Sequence, residues 1–186
     1  MARESAEIFP AEASTRGLVE IFTGNGKGKT SAALGMALRA LGHGLHIHII
    51  FFMKGDFPYG EQKILSELSN VTFERFGFQD FVDPANVKPE EKEEARKALE
   101  AARKAVLSLK YDIVILDEVN VAAAWKLIDL ADVIKLIHDK PEKVELILTG
   151  RYADSKLIEL ADLVTDMVKV KHPFDKGVLS RKGIDY

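Results

Sequence analysis

Short apolar runs alternate with longer stretches of helical period along most of the chain. Runs of strand length fall at Gly17–Phe22, His46–Phe52, Val71–Phe76, Ile113–Leu116, Val144–Leu148 and Leu163–Val170. They are rich in Val and Ile and are too short for helices, which reads as buried strands. Thr30–Leu41 is packed with good helix formers and stops at Gly42 and Gly44. Glu61–Leu68 puts Ile64, Leu65 and Leu68 on one side of a short helix. Pro89 opens a charged helix running to Leu109, and Glu90, Glu91, Glu93 and Glu94 complement its positive amino end. Ala95, Leu99, Ala102, Val106 and Leu109 supply its buried stripe. A helical region carrying Val133, Ile134, Leu136 and Ile137 and a short helix at Asp154–Leu160 complete the set, while Gly77–Lys88 has no clean period and reads as a loop. This alternation predicts an α/β fold, a mainly parallel sheet with helices on both faces. Ligands on such sheets bind beyond the carboxyl ends of the strands.

Composition narrows the picture. The 186 residues suit one domain, placed at 17–186, behind a polar, acidic arm at 1–16. Forty-seven per cent hydrophobic residues provide for a sizeable core, which excludes whole-chain disorder. A net charge of −3 gives no reason to expect a nucleic-acid partner. The absence of cysteine excludes disulfides, thiolate metal sites and a cysteine nucleophile. No apolar run is long enough to span a membrane and residues 1–16 lack an apolar signal core, so a cytoplasmic protein with no membrane partner is the expectation.

The strongest chemical signal is Thr23-Gly24-Asn25-Gly26-Lys27-Gly28-Lys29-Thr30, set between a predicted strand and a predicted helix. Three glycines let successive N–H groups converge on an anion, and the helix adds its positive end. Lys29 can reach phosphate oxygens, and the Thr30 hydroxyl can ligate Mg²⁺. Thr23 stands where the common pattern has glycine; threonine disfavours positive φ, so the start of this loop should differ from that of ordinary nucleotide triphosphatases. Lys27 adds a second cation, either for more phosphate charge or for solvent. Asp117-Glu118 follows the Ile113–Leu116 strand, the usual second half of a Mg-nucleotide site. Spacing does not say which carboxylate meets the metal. No Asn-Lys-x-Asp base-recognition pattern or kinase-type Gly-x-Gly-x-x-Gly accompanies them.

Further segments fall in a recognisable order. Thr23–Ala33 is followed by Arg39-Ala40, Gly42-His43-Gly44, Phe52-Met53-Lys54-Gly55 and Gly60-Glu61. Then come Leu116-Asp117-Glu118, Leu148-Thr149-Gly150-Arg151, Ala161–Thr165, Lys171-His172-Pro173-Phe174 and Gly183-Ile184-Asp185-Tyr186. The series closely resembles the P-loop type of ATP:corrinoid adenosyltransferase, over roughly Arg16 to the C-terminus.

That resemblance implies a P-loop NTPase-like, RecA-like fold. It implies ATP bound in reverse, with its 5′ carbon turned to a corrinoid whose Co(I) attacks it and expels triphosphate. Co(I) is itself a potent nucleophile, so no side chain need act as general base. Alignment and stabilisation of the leaving triphosphate remain. The implied site comprises Thr23, Gly24, Asn25, Gly26, Lys27, Gly28, Lys29, Thr30 and Ser31 on the nucleotide. Thr30 and Glu118, with Asp117, would serve Mg²⁺, Glu118 being the direct ligand. Arg151 is a candidate phosphate or corrinoid contact, against the reading of a surface charge, and His172 is a candidate substrate contact. Phe78, with nearby Phe81, is the candidate apolar face for the corrinoid, against the simpler reading that both pack in the core. Some relatives carry Gly-Phe-x-Trp here, where this chain has Gly77-Phe78-Gln79-Asp80. A homodimer, an electron donor such as a reductase, and an arm that covers an active site are also implied. A P-loop ATPase switch or motor domain and a small-molecule kinase are the competing readings.

The other histidines carry simpler expectations. His46 and His48 alternate on one strand without a third ligand nearby and read as a satisfied pair. His43 belongs to the glycine-rich helix stop, and His138 to a helix surface. Trp125 reads as packing, or as a shield for a ligand.

Overall fold

The computed structural model describes residues 16–186. The arm expected at 1–16 therefore lies almost wholly outside the described residues, and so does its expected role over an active site. Six strands form one sheet: β1 (Val19–Thr23), β2 (Ile47–Phe51), β3 (Val71–Arg75), β4 (Ile113–Asp117), β5 (Glu145–Thr149) and β6 (Leu163–Asp166). Their order is β3-β2-β4-β5-β1-β6. Every pairing is parallel. The expected α/β fold is the one observed.

Alternation of side chains sorts the core into two layers. Ile50, Val114, Leu116, Leu146 and Leu148 face one side, where they meet α3 (Pro89–Leu107), α4 (Val119–Ala124), α5 (Leu130–Asp139) and α6 (Ser155–Leu160). Ile47, Ile49, Phe51, Ile113, Ile115 and Ile147 face the other, under Ala33, Ala37 and Ala40 of α1 (Lys29–Leu41) and Leu65 of α2 (Gly60–Leu65). The small alanine stripe lets α1 lie close to the sheet, which holds its amino end against the loop that follows β1. Central strands buried on both faces explain why they read as continuous apolar runs rather than as alternating ones.

Several expected elements differ in extent. The short helix expected at Glu61–Leu68 ends at Leu65, and the charged helix ends at Leu107, short of Leu109, whose φ of 55° and 67% exposure take it out of the buried stripe. The strand foreseen at Leu163–Val170 ends at Asp166. There the backbone turns to the phosphate loop: Met167 N–H donates to Thr23 O (2.9 Å) and Gly26 N–H donates to Met167 O (2.6 Å). The helical region after Asp117-Glu118 is two helices, α4 and α5, separated at Lys126, whose φ of 58° no helix tolerates.

Candidate active site

The loop Thr23–Gly28 joins β1 to α1, as its spacing predicts. Thr23 remains the last residue of the strand, and its hydroxyl accepts from Ala153 N–H (3.3 Å). The left-handed turn falls on Gly24 (φ 97°) instead, and again on Gly28 (φ 119°) at the helix cap. A Cβ on Gly24 would collide with the Asp166 carboxylate, so glycine is required there by φ and by space. Gly26 is buried and Asn25 exposed. Lys29 is buried and its ammonium donates to Gly24 O (2.9 Å) and Gly26 O (2.7 Å). Burial pushes that ammonium below the ordinary lysine range, against the pull of Glu118.

β4 delivers the carboxylates. Asp117 is 1% exposed and engaged on both oxygens. Its Oδ1 accepts from Thr30 Oγ1 (2.8 Å) and Thr149 Oγ1 (2.7 Å), and its Oδ2 lies 2.6 Å from Lys54 Nζ. Burial alone would lower Lys54, but Asp117 overrides it and holds the ammonium well above its ordinary range. The Lys54 ammonium also sits 4.7 Å from the Tyr59 ring centroid, a cation–π contact. Glu118 caps α4 in the left-handed region (φ 65°), a conformation that non-glycine residues adopt at some cost. Its N–H donates to Thr149 Oγ1 (3.0 Å), so the end of β5 sets the geometry of both acids. Burial and the neighbouring Asp117 charge push the Glu118 carboxyl up; Lys54, Lys29 and Arg151 pull it back.

Of these groups Lys29, Thr30, Lys54, Tyr59 and Glu118 line a cleft of about 1270 Å³ at the carboxyl ends of the strands. Lys27, Lys29, Thr30 and Ser31 lie in it with Glu118, Arg151 and His172. Its apolar wall comes from Phe81, Trp125, Phe174 and the C-terminal segment. Phe81 is 83% exposed and Phe78 47% exposed, so neither packs in the core; Phe78 lies outside the cleft lining. The His172 ring accepts from Phe174 N–H (3.2 Å), which orders the short 3₁₀ turn at Pro173–Lys176.

His48 is the core member of the expected pair, with its buried Nε2 3.4 Å from Glu74 Oε1. It is buried, bonded to Thr72 Oγ1 at 2.7 Å and stacked on Tyr111, while exposed His46 lies near Asp112. Among the described residues, no group of three or more His, Cys, Asp or Glu could hold a metal ion, and no helix is long and apolar enough to cross a membrane.

The sequence reading gave no role to Lys54, Thr149 or Asp185. Two of the three follow a legible signal in their position. Lys54 and Thr149 sit at or just beyond the ends of β2 and β5, where a parallel sheet gathers its ligand-binding groups. Asp185 bonds the Lys27 ammonium from the far end of the chain, a pairing that no local pattern encodes.

A glycine cradle at a helix amino end, facing a strand-borne acid pair across a parallel sheet, defines a P-loop nucleotide-binding protein. In fold it is similar to a KaiC-like protein from the hyperthermophilic archaeon Pyrococcus horikoshii, with a TM-score of 0.52, 13% identity and coverage of 81% of this chain and 72% of that one. Within that class, the chain belongs to the ATP:corrinoid adenosyltransferase family BtuR/CobO/CobP, whose family model matches residues 15–186. It is 37% identical to the corrinoid adenosyltransferase of Escherichia coli, over 99% of this chain and 93% of that protein. It is 35% identical to corrinoid adenosyltransferase CobA of Salmonella typhimurium, over 99% and 92% respectively. A corrinoid adenosyltransferase of a Sinorhizobium species is 32% identical over 100% and 89%.

Proposed function

We propose that this enzyme transfers the 5′-deoxyadenosyl group of ATP to the Co(I) centre of a corrinoid. The cobalt–carbon bond forms as the bond from C5′ to the triphosphate oxygen breaks, and triphosphate leaves. The observation that carries this reading is that the phosphate cradle and a broad apolar wall share one cleft. Its volume of about 1270 Å³ exceeds the roughly 300–1,000 Å³ of most small-molecule sites. A nucleotide and a large flat cosubstrate therefore have room to meet.

Loop amides and Lys29 stabilise the triphosphate as it gains charge. ATP is held in reverse, as the family resemblance implies, with its sugar methylene turned to the apolar wall. Phe81, which lines that wall, is better placed than Phe78 to face the corrinoid. The donor set suits Mg²⁺: a threonine hydroxyl and a half-buried carboxylate are hard oxygen ligands, and their small number leaves the remaining positions to phosphate and water. Thr30 and Glu118 would hold the ion, which neutralises phosphate charge when bound. Asp117 fixes the Thr30 hydroxyl through their 2.8 Å hydrogen bond. A separate reductase or other electron donor supplies the Co(I) state, and the working unit is a homodimer.

The test is anaerobic incubation of the protein with Mg-ATP and chemically reduced corrinoid. A light-sensitive alkylated cobalt product and stoichiometric triphosphate are expected. ADP and phosphate without alkylated cobalt would instead favour an ATPase.

A further inference from the structure

The last six residues form a strap over the phosphate loop. Its internal bonds centre on Asp185: Arg181 donates to Asp185 Oδ2 through both its N–H (2.9 Å) and its Nε (3.0 Å). The turn is closed by Gly183 N–H donating to Tyr186 O (2.7 Å). Outward, among the described residues, the hydrogen bonds that join the strap to the phosphate loop all run through one atom. Lys27 Nζ donates to Ile184 O (2.6 Å) and to Asp185 Oδ1. A second anchor is apolar, the Tyr186 ring lying edge-on to Phe57 at 5.2 Å.

Lys27 stands between Gly26 and Gly28, in the loop that leads into the amino end of α1. Asp185 lines the same cleft. A fixed carboxylate beside an anion cradle repels phosphate and also takes one of its cations. The pair is accessible to exchange, with the two side chains 47% and 22% exposed. We propose that Asp185 competes with bound polyphosphate for the Lys27 ammonium, so that it sets nucleotide affinity and nucleotide binding loosens the C-terminal strap.

This rests on the reading of the loop as a triphosphate site. A triphosphate carries several charges against the single charge of Asp185, so Lys27 turns to it when both are present. The strap then loses both bonds to the loop together and keeps the ring contact with Phe57. Asp185 is a positioning residue in this scheme, acting on the substrate only through Lys27.

Two measurements on the full chain test the proposal. The first is calorimetric titration with inorganic tripolyphosphate and with Mg-ATP. Asp185→Asn should tighten both by about fivefold, the scale of a partly exposed charge pair. Asp185→Glu should restore the parent affinity, and Lys27→Met should bind more weakly while losing its sensitivity to Asp185→Asn. The second is release of Tyr186 by carboxypeptidase, which Mg-ATP should accelerate. Equal affinities for the parent and Asp185→Asn, or protection of Tyr186 by nucleotide, would overturn the competition while leaving the triphosphate site intact. Absence of tripolyphosphate and ATP binding in the parent would instead remove both.

Discussion

Asp117 and Glu118 are neighbours in sequence with the same charge, yet their surroundings give them different work. Asp117 is engaged by a threonine on either side and by Lys54, so it organises the site from within. Glu118 has its carboxyl pushed up by burial and by Asp117, which is the condition of an acid that gains from an arriving cation. Glu118→Gln should therefore lower adenosyl transfer by about a hundredfold, the scale of losing one charge-stabilising group. It should also raise the Mg²⁺ concentration needed for half-maximal rate, read from a metal titration; an unchanged titration would place the ion elsewhere. Lys54 makes a second case. Removing one member of a buried ion pair strands the other, at a cost of about 3–5 kcal/mol, whereas removing both is far milder. Urea denaturation should show Lys54→Met as strongly destabilised and Lys54→Met/Asp117→Asn as partly recovered. The double variant should still bind ATP less tightly than the parent, because an asparagine amide oxygen accepts from the Thr30 hydroxyl without the carboxylate's charge.

At the scale of elements, the loops after β2 and β3 are locked by close backbone approach. A Cβ on Gly55 would collide with the carbonyl oxygen of Gly77, which itself has a φ of 107°. Gly55→Ala should push these loops apart and displace Phe57 and Phe81, which they carry 6.3 Å apart. Corrinoid KM should rise several-fold while ATP affinity, set by the loop after β1, stays within about twofold; steady-state kinetics in each substrate separates the two. The strands themselves were plainly legible. Buried parallel strands such as Ile47–Phe51 and Ile113–Asp117 write unbroken apolar runs, and a glycine loop between a strand and a helix writes its own address. Elements held by distant partners were not. The end of β6 depends on hydrogen bonds from Met167 to Thr23 and from Gly26 to Met167, across more than a hundred residues of sequence. The break between α4 and α5 depends on a positive φ at a lysine, which no propensity announces. Site residues followed the same division. Lys29, Thr30 and the Asp117-Glu118 pair stand out as candidates from local pattern, whereas the partners of Lys54, Thr149 and Asp185 are visible only in the folded chain.

For the whole molecule, charge is distributed between the two ends of the sheet. The carboxyl ends of the strands carry the reactive cleft. Near the amino ends, β1 and β5 bring a second acid pair together, Glu20 and Glu145. Glu20 is 9% exposed. Burial, then a hydrogen bond with Glu145 and the charge of that residue, lifts Glu20 to about 7. Glu145 also accepts from Leu18 N–H (2.7 Å). Lys140, which donates to Gly17 O and Val144 O at 2.8 Å, lies close enough to Glu145 and Asp162 to feel their charge. A carboxyl whose proton affinity is higher in the folded state binds more protons folded than unfolded. Stability contributed by that proton is therefore present at low pH and falls as pH rises from the ordinary glutamate range to about 7, with no further loss above it. Other acids in the molecule pull in the opposite sense, so the contribution is isolated by difference. Glu20→Gln keeps the hydrogen-bonding shape without the charge. It should be more stable than the parent at pH 8, and the gain should shrink steadily as pH falls below 7, read from urea midpoints across that range. Parallel pH profiles for the two proteins would mean that Glu20 does not hold the proton. Because the pair sits at the amino end of the strands, adenosyl transfer per folded molecule should be unchanged by the same substitution. Substitution at the amino end of the sheet then changes stability without changing catalysis, whereas the Lys54–Asp117 pair at the carboxyl end bears on both.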